Sequence, residues 1–239
     1  LKGLFLKKYN LALVTKTFSV DIPSYKTLFD SINRFNEDNL PIFVIIPFRD
    51  KKLLQDTIGT EGYTVLYDHD IHEFRQNMGG WEQQMIIKLK AHHHISTNNL
   101  LLLDSDAKFI KPFFEKDFIA YGDIPYTIVH ENKQVAEYET ALKGGDYNKT
   151  GYVKAVKAYR DIFGYKSDKI YDFGPNPHLW STKVLRDFSS NYLDYNGIEL
   201  EQFCLQIKQQ YGVHFRETLT YGEYLMATKS IEIIPCGPL

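Results

Sequence analysis

The sequence predicts an α/β fold in which helices flank a mostly parallel sheet, followed by a less regular second half. Apolar runs of strand length alternate with segments of helical periodicity through the first half of the chain. The run "PIFVIIPF" is apolar throughout, as expected of a strand that is covered on both faces. The resulting β-α-β-α-β-α-β order implies parallel strands with helices on both faces of the sheet.

Four strands and three helices account for the first half. The run "LALVTKTF" is β-branched and bounded, which is typical of a strand. In the first helix Tyr25, Leu28 and Ile32 lie at helical spacing, and Ser24 is placed as the N-cap. The predicted strands are Leu11–Phe18, Pro41–Phe48, Tyr63–Tyr67 and Leu100–Leu103, and the predicted helices are Ser24–Phe35, Asp50–Ile58 and Trp81–Ile95.

The second half is less regular. One strand is predicted over Pro125–His130, and two helices, over 151–164 and 199–212, each end in a glycine. Between these helices a proline-rich loop leads to Ser181, the predicted N-cap of a short helix. No internal repeat, low-complexity tract or linker divides the chain. We therefore expect a single domain over residues 1–239.

Composition excludes several classes of function. The chain has 239 residues and a formal net charge of −2, which suggests no polyanionic partner such as nucleic acid. With two cysteines the chain is not a disulfide scaffold, and a reducing compartment fits. No apolar run approaches the roughly 20 residues of a membrane span. The first residue is Leu1, so we expect a piece excised from a longer chain.

Two aspartates, Asp104 and Asp106, come directly after the run of leucines that forms the fourth predicted strand. In open α/β sheets, ligands bind beyond the carboxyl ends of the strands. Residues i and i+2 of an extended segment point the same way, so both carboxylates can face one ligand. Two adjacent carboxylates repel, and a hard cation such as Mg²⁺ or Mn²⁺, completed by substrate phosphates, removes that conflict. An Asx-turn that merely ends the strand is the alternative.

The same spacing occurs a second time in "YDHD", where Asp68 and Asp70 come after the third predicted strand. The Asp-x-Asp string alone therefore decides nothing. The two pairs differ in the segments on their C-terminal side. An apolar and basic segment with a proline comes after Asp106, whereas a polar loop comes after Asp70. We favour Asp104 and Asp106 as the functional pair, mainly because of a resemblance to a known family.

Four segments carry this resemblance. They are "GGWEQQMIIKLKAHHHI", "LLLLDSDAKFIKPF", "PNPHLWSTKVLRDF" and "ETLTYGEYL", which occur in the same order as in the family and span roughly residues 11–226. The chain resembles GT-A-fold nucleotide-sugar glycosyltransferases, and it is most similar to a largely uncharacterised bacterial group, the DUF6492-like proteins. The resemblance implies a Rossmann-like GT-A sheet, with a nucleotide-sugar half over about 10–115 and an acceptor half over about 116–239.

The resemblance also implies the chemistry. The donor would be a nucleoside diphosphate sugar, with Mn²⁺ or Mg²⁺ held by the Asp-x-Asp pair. Asp106 is the first choice as metal ligand, and Asp104 would contact the metal through water or bind the ribose hydroxyls. Some GT-A enzymes add a histidine from the later half of the chain, a role open to His178 or His214. A hydrogen-bonded structural role is the alternative for both histidines.

Donor-binding candidates lie on the first strands and on the helix before Asp104. Trp81, Gln84 and Lys88 are three and four residues apart, so they share a helical face. Lys88 can reach a phosphate, and Gln84 can reach the sugar or the ribose. The alternative is an amphipathic helix with a solvated lysine. The further candidates, placed where strands end at the nucleotide in this fold, are Thr15, Thr17 and Arg49.

The acceptor hydroxyl needs a general base if the enzyme inverts configuration. Glu217 begins the segment "ETLTYGEYL", where helix-start geometry would direct it into the cleft, and Glu223 is the reserve. In a retaining enzyme these residues would bind the acceptor instead. The run His92–His94 is not expected to bind a metal, because consecutive helical residues point about 100° apart.

The leading hypothesis is thus a metal-dependent hexosyltransferase that acts on a glycan or lipid-linked glycan acceptor in bacterial lipopolysaccharide or capsule synthesis. We expect a cytoplasmic protein, with any attachment to the inner face of the membrane made through parts outside this chain. A metal-dependent nucleotidyltransferase is one alternative, although "TKTFSVDIPSYK" lacks the expected glycine richness. A non-catalytic carbohydrate-binding domain is the other.

Overall fold

The computed structural model describes residues 9–75, 78–131, 151–173 and 176–236. The strands in chain order are β1 (Leu11–Lys16), β2 (Ile42–Ile46), β3 (Thr64–Tyr67), β4 (Asn99–Leu102), β5 (Ile119–Tyr121), β6 (Ile124–Pro125), β7 (Thr127–Ile128), β8 (His130–Glu131), β9 (Tyr171–Asp172), β10 (His178–Ser181) and β11 (Pro235–Cys236). The helices are α1 (Ile22–Phe35), α2 (Lys51–Ile58), α3 (Asp68–Ile71), α4 (Gly80–Lys90), α5 (Gly151–Phe163), α6 (Thr182–Asp187), α7 (Leu200–Tyr211) and α8 (Glu217–Thr228).

A five-stranded sheet in the order β10-β4-β1-β2-β3 forms the centre. Strands β4, β1, β2 and β3 run parallel, and β10 pairs with β4 in the antiparallel direction. The predicted α/β architecture with a mostly parallel sheet is therefore confirmed. The chain order reverses beside β1, because β2 lies on one side of it and β4 on the other. Such a switch point opens a crevice at the carboxyl ends of the two diverging strands.

The two faces of the sheet belong to different apolar clusters. Ala12 and Val14 of β1 pack with residues of α4, α5, α7 and α8. Leu11 and Leu13 pack instead with residues of α1 and α2. Successive residues of a strand point to opposite faces, so even-numbered residues of β1 face α4. Each fully buried aliphatic side chain contributes roughly 1.5–3 kcal/mol, which holds the sheet rigid beneath the crevice.

Helix α1 begins two residues before its predicted N-cap. It starts at Ile22 with Asp21 as the N-cap, so Ser24 lies inside the helix rather than before it. Pro23 occupies the first turn, where its missing N–H costs nothing because first-turn amides have no intrahelical partner. The prediction for Ser24 was wrong because it treated the proline as part of the preceding loop.

Two predicted elements take another form. The predicted strand Pro125–His130 is divided among β6, β7 and β8, which pair with β5, β11 and β9 respectively. The predicted loop before Ser181 contains strand β10 at the sheet edge, and residues 174–175 of that loop lie outside the described residues. Ser181 itself caps α6 as predicted, since its side chain accepts a hydrogen bond from the backbone N–H of Lys183.

The helix before β4 is shorter than predicted. Helix α4 ends at Lys90, and a 3₁₀ turn over Ala91–His93 comes after it instead of a continued α-helix to Ile95. In the second half a π-helical segment, Phe188–Asp194, continues α6. No helix in the described ranges combines the length and the apolar character that a bilayer crossing requires.

Candidate active site

A cleft of about 330 Å³ opens at the switch point, beyond the carboxyl ends of β1 and β4. Six separate parts of the chain contribute to it: the end of β1, the residue before α1, helix α4, the segment after β4, the start of β10 and the start of α8. Its lining residues are Lys16, Asp21, Trp81, Gln84, Lys88, Asp104, Ser105, Asp106, His178 and Glu217. The sequence had predicted most of the polar members of this set.

Strand alternation explains why three of these side chains meet. Lys16 continues the face of β1 that carries Ala12 and Val14, which is the face covered by α4. Asp104 continues the face of Leu100 and Leu102 on β4 in the same way. On the antiparallel strand β10, His178 and Trp180 are two residues apart and point to the same face of the sheet. Trp180 packs in the apolar cluster that contains Leu100 and Leu102.

Helix α4 lies over that face and directs three predicted residues into the cleft. Trp81, Gln84 and Lys88 all line it, as their helical spacing implied. Of the Trp81 surface, 47% is exposed, and its ring meets the ring of His214 edge-on at 6.3 Å. Trp81 therefore forms the rim of the cleft, while Lys88 is buried at its base.

Lys88 is the electrostatic centre of the site. Its ammonium donates a hydrogen bond to Asp104 Oδ1 at 3.1 Å and lies 3.5 Å from Glu217 Oε1. A buried ammonium without such partners would cost several kcal/mol, and the two carboxylates offset that cost. Lys88 thereby joins the end of β4 to the start of α8, which are 113 residues apart in the sequence.

Glu217 is the first residue of α8, as predicted, and its carboxylate lies at the positive end of the helix dipole. The buried Tyr159 fixes this helix start. Its hydroxyl accepts a hydrogen bond from the Arg216 N–H at 2.8 Å and lies 3.1 Å from the Arg216 carbonyl oxygen, to which it donates. The Glu217 side chain is only 12% exposed, so its orientation towards Lys88 is well defined.

His178 is a buried imidazole at the wall of the cleft. Its ring stacks on Trp180 with a centroid distance of 5.8 Å. Burial, and secondarily the charge of Lys88, lower the pKa of His178 to about 4, so the ring is neutral at pH 7. Within the described part of the chain, its Nδ1 atom has no hydrogen-bond partner. A buried polar atom without a partner is uncommon, and an ion or a water molecule at this nitrogen would satisfy it.

The donor set of the cleft suits a divalent cation. The lining holds four carboxylates against two ammonium groups, which leaves an excess of negative charge. Asp104, Asp106 and the unpartnered His178 supply carboxylate oxygen and imidazole nitrogen, both of which Mn²⁺ accepts. Among the described residues, no group of three His, Cys, Asp or Glu side chains is placed to hold a metal ion by itself. A cation held by these residues would have to complete its coordination shell with water and phosphate oxygens.

Lys16 and Asp21 line the cleft, although sequence reasoning did not single them out. Burial lowers the pKa of Lys16, and the nearby Asp68 and Asp50 oppose that shift. The sequence did contain a signal for Lys16, because successive side chains of β1 alternate between the two faces of the sheet. Thr15 and Thr17 share one face of the strand, and Lys16 points to the other face, where α4 lies.

Five predicted site residues lie outside the cleft lining, among them His214, which lines a separate small pocket beside Cys204 and Phe215. Thr15 and Thr17 are buried on the opposite face of the sheet. The side chain of Arg49 is 82% exposed beside Asp50. Glu223 is completely buried on α8, where its Oε2 accepts a hydrogen bond from Arg160 Nε at 2.9 Å. A carboxylate in that position cannot reach a substrate hydroxyl, so the structure gives no support to Glu223 as the reserve base.

Of three comparisons with known proteins, two find a match. A comparison with curated proteins finds no match. Among solved structures, the chain is similar to mouse xyloside xylosyltransferase 1 in its apo form, with 10% sequence identity, a TM-score of 0.48, and coverage of 94% of this chain and 83% of that one. A family model described as a family of unknown function (DUF6492) matches residues 10–229. This match confirms the resemblance that the four sequence segments predicted, and the chain belongs to the DUF6492 family.

Proposed function

We propose that this protein is a metal-dependent glycosyltransferase that moves a sugar from a nucleoside diphosphate sugar to a glycan acceptor. One observation carries the proposal: a buried lysine, Lys88, is held between Asp104 and Glu217 in an acidic cleft at the switch point of the sheet. The cleft thus offers a cation for a leaving diphosphate, carboxylates for a metal, and a further carboxylate that is available for proton transfer.

The charge of the cleft explains why a metal is part of the proposal. A nucleoside diphosphate adds further negative charge to a site that already carries an excess of it. Asp104, Asp106 and His178 would hold a divalent cation that offsets this repulsion. When bound, Mn²⁺ or Mg²⁺ acts as a Lewis acid that stabilises the charge growing on the departing diphosphate.

The residues of the chain itself have defined roles in the transfer. Lys88 donates to a diphosphate oxygen, and because Asp104 and Glu217 already orient its ammonium, little reorganisation is needed as charge develops. Lys16 supplies a second ammonium at the end of β1. Gln84 contacts the ribose or the transferred sugar. The exposed ring of Trp81 covers the rim, where an apolar sugar face can pack against it.

Glu217 is the residue that handles the acceptor. When transfer inverts the anomeric carbon, the Glu217 carboxylate accepts the proton of the acceptor hydroxyl. The hydroxyl oxygen then bonds to the anomeric carbon, while the bond from that carbon to the diphosphate oxygen breaks. The Lys88 ammonium lies 3.5 Å from Glu217 Oε1 and orients this carboxylate before the acceptor arrives.

The finer identity of the reaction rests on the resemblance of the sequence segments. We propose a hexosyl donor and an acceptor in bacterial surface polysaccharide, either lipopolysaccharide or capsule, with the reaction on the cytoplasmic side of the membrane. The lining of the cleft is compatible with this acceptor class, since hydroxyl-rich ligands match its mixture of carboxylate, amide and aromatic groups.

Calorimetric titration tests the proposal. Nucleoside diphosphate sugars and nucleoside triphosphates are titrated with and without Mn²⁺ into the wild type, Asp106→Ala and Asp70→Ala. We expect one nucleoside diphosphate sugar to bind only with the metal, and Asp106→Ala alone to lose this binding. A preference for a triphosphate would indicate the nucleotidyltransferase alternative. Metal-independent binding of glycans without any nucleotide would indicate a non-catalytic carbohydrate-binding domain.

A further inference from the structure

Two exposed aromatic side chains stand beside each other at the mouth of the cleft. Trp81 of α4 lines the cleft, and His214 lies in the segment before α8. Both residues are exposed, and their rings are inclined at 75° to each other. Tryptophan is highly buried on average, so this ring leaves an unusually large apolar area in contact with water. Trp81 and His214 are called the aromatic corner below.

The aromatic corner lies away from the residues assigned to the diphosphate. Trp81 comes seven residues before Lys88 on α4, so at 1.5 Å per residue it is about 10 Å further towards the mouth. His214 comes three residues before Glu217. The molecule that brings a hydroxyl group to Glu217 must therefore pass beside the aromatic corner.

A small pocket of about 70 Å³ adjoins the aromatic corner. It shares His214 with the corner, and its wall includes Glu82, the residue after Trp81. Glu82 and Lys208 contribute one charge of each sign, and the rest of the wall is largely apolar. A space of this size holds the hydroxymethyl group of a sugar but not a whole sugar ring.

This combination of groups indicates the class of ligand. An aromatic face packs against the C–H face of a pyranose ring, while a carboxylate and an ammonium form hydrogen bonds with its hydroxyl groups. A charged sugar gains little here, because the charges of Glu82 and Lys208 offset each other. An apolar ligand would displace water from both groups without replacing its hydrogen bonds.

We propose that the aromatic corner and the small pocket form the subsite for an uncharged hexose of the acceptor. The ring of the hexose packs against Trp81 and His214, and its hydroxymethyl group enters the small pocket. This inference rests on the proposed function, because the bound hexose is an acceptor only if the cleft transfers a sugar. Binding of the hexose itself requires neither the metal nor the nucleotide.

Quenching of tryptophan fluorescence by acrylamide measures occupancy of the corner. The chain has two tryptophans, and Trp180 is only 1% exposed, so the quencher reaches Trp81 alone. Cellobiose, lactose and mannobiose are added without metal or nucleotide. We expect at least one of them to protect Trp81. Xylobiose, which lacks hydroxymethyl groups, should bind at least about tenfold more weakly. The proposal fails if no disaccharide protects Trp81, or if xylobiose protects it equally well.

Two variants and a matched control locate the binding. Trp81→Ala and His214→Ala should each weaken the disaccharide about three- to tenfold in calorimetric titration, the range for one lost aromatic contact. Affinity for the nucleoside diphosphate sugar with Mn²⁺ should stay unchanged in both variants. Tyr195→Ala is the control, because Tyr195 is an exposed aromatic residue that lines neither the cleft nor the small pocket. A loss of donor affinity in Trp81→Ala would overturn the assignment to the acceptor.

Failure of this inference and failure of the proposed function give different results. Protection of Trp81 by a disaccharide, without metal-dependent binding of any nucleoside diphosphate sugar, would keep the subsite as a glycan-binding site and remove the transferase. Donor binding without protection by any disaccharide would keep the transferase and remove the subsite. Protection by the nucleoside diphosphate sugar alone would overturn the proposal, because the corner would then hold the donor sugar.

Discussion

Two Asp-x-Asp pairs with identical spacing have different surroundings in this fold. Asp104 and Asp106 come after β4, which lies between β1 and β10, and their cleft also receives side chains from α4 and α8. Asp68 and Asp70 come after β3 at the edge of the sheet, within the single turn of α3. The Asp70 side chain is 59% exposed and contacts only its neighbour His69 among the ion pairs of the described residues.

The difference shows that the position of the strand in the sheet decides which groups surround an Asp-x-Asp pair. A carboxylate at the end of an inner strand meets the groups that flanking helices direct into the same crevice. Asp104 accepts a hydrogen bond from Lys88 at 3.1 Å, whereas Asp68 lies 3.9 Å from Lys16, although the two lysine side chains are equally buried.

The first prediction contrasts the two pairs directly. Asp106→Ala should lower transfer by about 10³-fold or more, because the loss of a Lewis acid costs several kcal/mol of transition-state stabilisation. Asp70→Ala should stay within about twofold, as exposed substitutions usually do. Turnover with the identified donor is the measurement. Equal losses in the two variants would contradict the assignment of the functional pair.

The second prediction concerns Glu217, the carboxylate that α8 adds to the cleft of Asp104 and Asp106. Glu217→Gln should keep the donor affinity and lower turnover by about 10²–10⁴-fold, the range expected when a general base is lost. Glutamine preserves the shape of the side chain and removes its basicity. Donor affinity and turnover are measured separately. A parallel loss of both would mean that Glu217 binds the donor instead.

The third prediction concerns the lysine that joins the two halves of the cleft. Lys88→Met should weaken binding of the free nucleoside diphosphate at least about tenfold, or 1.4 kcal/mol. Lys90→Met is the matched control, because Lys90 is on the same helix but its ammonium contacts His72 at 3.0 Å, outside the cleft. If both variants bind the nucleotide like the wild type, Lys88 has a structural role only.

The smallest effect is expected at Lys16, which lines the cleft of Asp104 and also lies 3.9 Å from Asp68. Burial lowers the pKa of Lys16, and Asp68 partly opposes this shift. Asp68→Asn removes the opposing charge, so the pKa of Lys16 falls further and its ammonium is lost at a lower pH. Nucleotide affinity should therefore decline earlier as pH rises from about 7 to 10, by a few-fold. Superimposable pH profiles for the variant and the wild type would exclude this link.

Local sequence patterns determined a large part of this fold. The alternation of apolar runs and helical periods gave the order of β1 to β4, because each period is encoded within a few neighbouring residues. The i, i+3 and i+4 spacing placed Gln84 and Lys88 on one helical face. The end of an apolar strand located Asp104 at the crevice, and Glu217 was correctly placed at a helix start.

Only the tertiary structure decided which of these side chains meet. The pairing of β10 with β4 brings His178 to Asp104 across more than seventy residues of sequence, and the ion pair between Lys88 and Glu217 spans a longer separation. The choice of Lys16 over Thr15 depended on which face of β1 the helix α4 covers. Glu223 became a buried partner of Arg160 because α5 packs against α8. Burial and partner choice depend on residues that are distant in the chain, and no local pattern contains that information.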